Sequence, residues 1–226
     1  MKNLHQLNSK KILIYGYGKT GKSLFRFFKK NLNSKVKVFD DNLTINKKYV
    51  IKNVVKFNAD YIFLSPGINK DVCNLKKFLL INKSKIISDL DIFYFKNIQN
   101  LKICITGTNG KSTTSKIIHK ILKNAGLDAR LVGNIGQPIL NEKKITKKTV
   151  FVVEISSYQI EYSKYFKSDI AAILNIFPDH LDRHKTFSNY RKIKFKLLKN
   201  LHPGGIGIIE KNICLLYTSP SPRDGW

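Results

Sequence analysis

The sequence predicts an α/β fold in two successive units, and three observations carry that prediction. Apolar strand-type segments alternate with helix-type ones along both halves of the chain, the pattern of parallel sheets with right-handed crossovers. The strands at 11–15 and 101–106 each run into a glycine-rich turn and then a helix. A polar stretch, KNIQN at 96–100, separates the two units.

In chain order, KILIY (11–15) is a strand, and GYGKTG leads into a helix reaching about Lys30. KVKVFD (35–40) is a second strand, and YIFLSPGI (61–68) a third that the SPG turn stops. Residues 71–82 are expected to be helical and KIISD (85–89) a short strand. LKICIT (101–106) opens the second unit, followed by a helix from Lys111 to about Ala125 that Gly126 terminates. TVFVVEIS (149–156) and IAAILNI (170–176) are buried strands, 187–200 is a lysine-rich helix, and GGIGIIE (204–210) is one more strand. The second pattern is expected to be an incomplete sheet. The tail, CLLYTSPSPRDGW (214–226), contains Pro220, Pro222 and the sole Trp, and it lacks lysine and periodicity. It is expected to be foreign to a natural sequence ending near residue 213. A flexible terminal peptide is the plain alternative.

With 226 residues and 42% apolar content, one large or two modest domains fit. No apolar run is long enough to span a bilayer, and MKNLHQLNSKK has no signal-type core. Cys73, Cys104 and Cys214 are far apart and form no C-x-x-C pair, which predicts a reducing, cytoplasmic setting. A net charge of +26 raises nucleic-acid binding. The lysines are scattered, however, and the chain is also rich in Asn, Ile and Phe; all four have A/T-rich codons. Neither a nucleic-acid nor a membrane partner is expected.

Gly16, Gly18 and Gly21 form G-x-G-x-x-G after a strand, and Asp40 ends the next one. That is the Rossmann-like fingerprint: a tight turn, close phosphate approach, close helix packing, then an acid for a ribose. Helix N-terminal amides attract any diphosphate, so a UDP-sugar satisfies the pattern as well as NAD does. A ligand-free turn is the structural alternative.

Gly107-Thr108-Asn109-Gly110-Lys111-Ser112-Thr113 is a phosphate loop of the shorter G-x-x-G-K-[ST] form, since Ile105 stands where the longer pattern has glycine. It offers backbone donors, a lysine for the β/γ-phosphates and a hydroxyl for Mg²⁺, so ATP binding is expected. Glu154 at a strand end beside it can hold the same Mg²⁺, or simply cap a loop. In Asn175–His184, His180 and His184 are four apart, but Leu181 replaces the glutamate of H-E-x-x-H, which disfavours a zinc protease. Pro178 predicts a turn there. Lys194, within YRKIKFK, reads as an ordinary solvated lysine.

Together and in this order, GYGKTG, KVFDD, LSPGI, SDLDIF, ITGTNGKST, VGNIG, VEISSYQIE, LNIFPDHLDRH and YRKIK resemble the Mur ligases, and within them the group adding D-glutamate. ITGTNGKST alone marks a wider group that includes folylpolyglutamate synthases. The resemblance implies a UDP-binding Rossmann-like domain at 1–97 and a truncated central ATP-binding domain at 98–213. It implies an ATP- and Mg²⁺-dependent amide ligase, a monomer, joining D-glutamate to UDP-N-acetylmuramoyl-L-alanine through an acyl phosphate in peptidoglycan precursor synthesis. Gly18, Lys19, Thr20, Asp40, Asp41, Gly67 and Asn134 match the UDP-substrate set, with Ser156 and Ser157 near the substrate. Asp41 and Asn42 stand where the family often carries Thr or Arg. Gly107 to Thr113 match the ATP loop, with Lys111 catalytic and Ser112 and Glu154 beside one Mg²⁺. His180 matches a second Mg²⁺ ligand, and Lys194 a carbamylated lysine. The family has a third domain for D-glutamate, so the chain alone is expected to lack ligase activity. The competing readings are another Mur ligase or folylpolyglutamate synthase, an NAD-dependent oxidoreductase, and a basic nucleic-acid-binding module.

Overall fold

The computed structural model describes residues 3–42, 48–211 and 213, so the 214–226 tail and Cys214 lie outside the described residues. The chain divides into two compact units. The first contains residues 1–99 with 136–145 and 161–166; the second contains 100–135, 146–160 and the remainder.

The first unit holds a four-stranded sheet in the order β2-β1-β3-β4. Its strands are β1 (Lys11–Tyr15), β2 (Lys35–Phe39), β3 (Tyr61–Leu64) and β4 (Ile86–Ile87), all parallel. β1 is central and buries four of its five side chains, as a strand covered on both faces must. Helix α1 (Lys19–Asn31) buries Leu24, Phe27 and Phe28, and α2 (Val54–Phe57) is a single turn.

The expected helix at 71–82 shrinks to α3 (Lys76–Ile81). Asn69 is the reason: its side chain accepts from the Asp71 amide and its carbonyl from Val72 and Cys73, a local turn that competes with helix. The expected strand at 85–89 stops at Ile87, because Ser88 caps α4 (Asp89–Lys96) through a capping box with Asp91. The Asp91 carboxylate also accepts amide hydrogens from Lys164, Tyr165 and Phe166 at 2.7–3.0 Å, tying the 161–166 segment to this unit.

The second unit is a five-stranded parallel sheet in the order β6-β7-β5-β8-β9. Its strands are β5 (Lys102–Thr106), β6 (Ala129–Gly133), β7 (Val150–Glu154), β8 (Ser168–Ile173) and β9 (Leu201–Ile209). Its helices are α5 (Lys111–Asn124), α6 (Ser157–Tyr162, whose last two residues group with the first unit), α7 (Leu181–His184) and α8 (Phe187–Lys199). β6, α2, α4, α6 and α7 have no counterpart in the sequence reading. No helix among the described residues is long and apolar enough to cross a membrane.

Candidate functional site

In the first unit the glycine turn is dictated by steric contact. Gly16 has φ +94°, and a Cβ on Gly21 would lie 1.9 Å from the Gly16 carbonyl oxygen. Helix α1 can therefore start against β1 only if both positions are glycine. Gly18 and Gly67 have open space around them. Asp40 is already engaged: one oxygen accepts the Tyr17 amide at 2.6 Å and the other the Asn42 amide at 3.0 Å. Asp41 accepts the Tyr15 hydroxyl at 2.6 Å. Burial of Tyr15, with this bond to Asp41, pushes the phenol far up. Lys19 and Thr20 sit in the first turn of α1, where helix amides have no partner within the helix.

In the second unit β5 ends at Thr106 and α5 begins at Lys111, with Gly110 in the left-handed region at φ +79°. Asn175, just past β8, shapes the loop between them. Its side-chain oxygen accepts from the amides of Thr108 (3.0 Å) and Asn109 (2.8 Å), and its amide nitrogen donates to the Asn109 carbonyl. The first-turn amides of α5, including those of Ser112 and Thr113, are then the donors left for an anion. The Thr108 hydroxyl lies 3.2 Å from the hydroxyl of buried Tyr190.

Two ammonium groups converge on this loop. Lys111 Nζ donates to the carbonyls of Gly107 (2.9 Å) and Thr108 (2.6 Å), and Lys194 Nζ donates to Gly107 at 2.7 Å. Lys194 is 1% exposed. The reading of it as a solvated lysine is therefore corrected: helix α8 turns that side chain onto the loop. Burial, reinforced by the nearby Lys111 charge and opposed by Asp179, pushes its pKa down to about 7.

Glu154 ends β7 at a register level with Ile105, two residues before the loop. Its carboxylate is 1% exposed; one oxygen accepts from Asn134 Nδ2 at 2.9 Å, and the other has no hydrogen-bond partner among the described residues. Gly133 makes this approach possible, because a Cβ there would lie 2.2 Å from the Glu154 carbonyl oxygen. A buried carboxylate oxygen without a donor suits a hard cation. No cluster of three or more His, Cys, Asp or Glu suited to a metal occurs among the described residues, so such an ion would complete its shell with hydroxyl, phosphate and water oxygens. Asn134, matched to the UDP set, belongs to the second unit and holds Glu154.

His180 is exposed in a left-handed conformation (φ +52°), 3.4 Å from the Asp179 carboxylate, with its ring 4.9 Å from that of Tyr158. The loop around Pro178 forms as expected. Ser156 and Ser157 serve the start of α6: Ser156 Oγ pairs with Gln159, and Ser157 Oγ lies 3.0 Å from Nε2 of buried His184. Asn175, Tyr190, Gly133 and His184 were missed as site residues. Their positions follow from β8 and β7 flanking β5, which a single sequence does not state.

Residues 105–214 match the family described as the Mur ligase middle domain. The chain is 37% identical over 211 residues to a UDP-N-acetylmuramoylalanine--D-glutamate ligase of Rickettsia bellii, covering 87% of this chain and 45% of that protein. It is 40% identical over 195 residues to the ligase of the same name from Francisella tularensis subsp. novicida, covering 84% and 44%. Among solved structures, UDP-N-acetylmuramate:L-alanyl-gamma-D-glutamyl-meso-diaminopimelate ligase from Neisseria meningitides shares the fold, with TM-score 0.53, 16% identity, and coverage of 89% of this chain and 71% of that one. The chain spans slightly under half the length of the curated relatives it matches. By its motifs, fold and relatives, the chain belongs to the Mur ligase family.

Proposed function

We propose that this chain supplies the nucleotide-handling part of an ATP-dependent ligase that adds D-glutamate to UDP-N-acetylmuramoyl-L-alanine. The single observation carrying this is the buried, unpartnered Glu154 oxygen beside a phosphate loop that already gathers Lys111 and Lys194. In this reading the first unit is the UDP-binding domain and Gly18, Lys19, Thr20, Asp40, Asp41 and Gly67 receive the UDP moiety. Asn134, Ser156 and Ser157 border the substrate.

A carboxylate is a poor electrophile, and phosphorylation from ATP gives it a leaving group. The α5 amides and Lys111 hold the phosphates and offset charge as it develops. Lys111 must leave the Gly107 and Thr108 carbonyls to do so. Mg²⁺, held through Ser112 and Glu154 with a second ion toward His180, would polarise the transferring phosphoryl group. Lys194, with its pKa near 7, is substantially neutral at physiological pH. A neutral amine is the form that takes up CO₂, and carbamylation would turn a cation on the loop into an oxygen ligand.

The test is thermal stabilisation of the 226-residue chain, since a ligand bound by the folded state raises its apparent stability. ATP with Mg²⁺ and UDP should each raise Tm, and NADH should not. Stabilisation by NADH but not UDP would favour a dinucleotide-dependent oxidoreductase and remove the UDP reading.

A further inference from the structure

Helix α1 carries a second face that its glycine turn does not explain. Residues 23, 26, 27, 30 and 31 follow the i, i+3, i+4, i+7, i+8 spacing that ordinarily meets a core. Here Phe27 is the sole apolar member. That face lines a cavity of about 620 Å³ within the first unit, bounded opposite by the end of α4 and by residues 137–143. The Ser23 hydroxyl donates to Asn141 Oδ1 at 2.7 Å and pins the opposite wall to α1. Buried Phe27 and Leu140 supply apolar lining.

Four cations, Arg26, Lys30, Lys96 and Lys143, line this cavity with one acid, Glu142, a local excess of three positive charges. None of the four forms an ion pair among the described residues. Lys96 Nζ reaches only as far as the Glu142 main-chain oxygen, at 3.4 Å, and sits 5.9 Å from the Phe27 ring centroid. Burial holds its pKa below the ordinary lysine value despite the Glu142 charge. Lys30 and Lys96 lie in the last turns of their helices, where the dipole favours a cation. Arg26 and Lys143 have no such reason to face the same space.

We propose that this cavity binds a small phosphorylated molecule, with its phosphate between Arg26, Lys30, Lys96 and Lys143 and its ring or chain against Phe27 and Leu140. A guanidinium grips phosphate oxygens in pairs, and a phosphate's multiple charge matches a triple excess better than a single carboxylate does. The volume lies within the ~300–1,000 Å³ typical of small-molecule sites. This site shares no residue with the Gly16–Gly21 turn or the Gly107–Thr113 loop, and it rests on neither part of the proposed function.

The test is calorimetric titration of inorganic pyrophosphate into the full chain carrying K111A, which weakens the phosphate loop. Adding R26Q/K96Q should weaken the remaining binding by at least about tenfold, the size of one lost charge-assisted contact. Adding K76Q/K77Q, exposed on α3, should leave it unchanged. Undiminished affinity in R26Q/K96Q overturns the proposal, and so does equal weakening by K76Q/K77Q, which would mean diffuse charge alone. If R26Q/K96Q does not fold, NMR of ¹³C-methylated lysines in the K111A chain decides. Shifts of the Lys30 and Lys96 signals on titration support the site, and their constancy overturns it.

Discussion

The chain contains two strand–glycine turn–helix motifs, at 15–21 and 106–113, and they differ in what surrounds the same backbone device. In the first, the glycines are demanded by contact and the acid at the next strand end is satisfied by main-chain amides. In the second, two lysines share one carbonyl and a buried carboxylate oxygen stands unpartnered. The first satisfies its acid internally and offers a ligand chiefly the first-turn amides of α1. The second keeps strong polar groups in reserve, and unsatisfied buried polarity is what a ligand relieves. A glycine turn thus supplies donors; its neighbours decide the chemistry.

The sharpest way to break this contrast is steric. Gly21→Ala should destabilise the chain by about 1–3 kcal/mol, because the new Cβ meets a carbonyl oxygen and helix and strand must part. Denaturant unfolding measures it, and an unchanged midpoint would mean the first turn is not a tight joint.

Next is Lys111→Ala. At ATP about a hundredfold above its Kd, Mg²⁺-ATP should stabilise the parent by about 2.7 kcal/mol, and the variant should lose most of that. Retained stabilisation would separate the loop from ATP.

Glu154→Gln tests the unpartnered oxygen. Without metal the variant should be at least as stable as the parent, since it removes a buried charge with an unmet oxygen. It should also lose the Mg²⁺-dependent part of the ATP effect. A variant destabilised by more than about 2 kcal/mol without metal would show that the carboxylate is satisfied internally.

The last test reads a slope rather than a midpoint. Lys194 has a folded pKa near 7, below the unfolded value of about 10.4, so the unfolded chain binds more protons between those limits. Its charged form is penalised on folding below that window, and the penalty is relieved as pH rises through it. Stability should climb more steeply from pH 7 to 10 in the parent than in Lys194→Met. Parallel slopes in pH-dependent unfolding would place Lys194 in water.

Local chemistry was legible before the fold. The alternation gave parallel sheets, the G-K-S at 110–112 gave the loop, and β1, β2, β5, α5 and α8 lie close to their expected bounds. Where local side chains compete with the backbone, the reading failed: Asn69 trimmed α3, and Ser88 with Asp91 turned a strand end into α4. β6 was missed because ARLVG, at the sheet edge, buries only Ala129 and Val132 and shows no two-residue alternation.

The sequence by itself determined the α/β class, the two glycine turns and the order of motifs that resembles the Mur ligases, because each is written in neighbouring residues. Only the tertiary structure decided that residues 136–145 and 161–166 group with the first unit and that Asn175 braces a loop 66 residues before it. It also decided that Lys194 is a buried, depressed amine. From sequence, a lysine on a lysine-rich helix is solvated; strand order β5-β8 and the seating of α8 turn this one onto Gly107, where burial removes the water that would keep it charged.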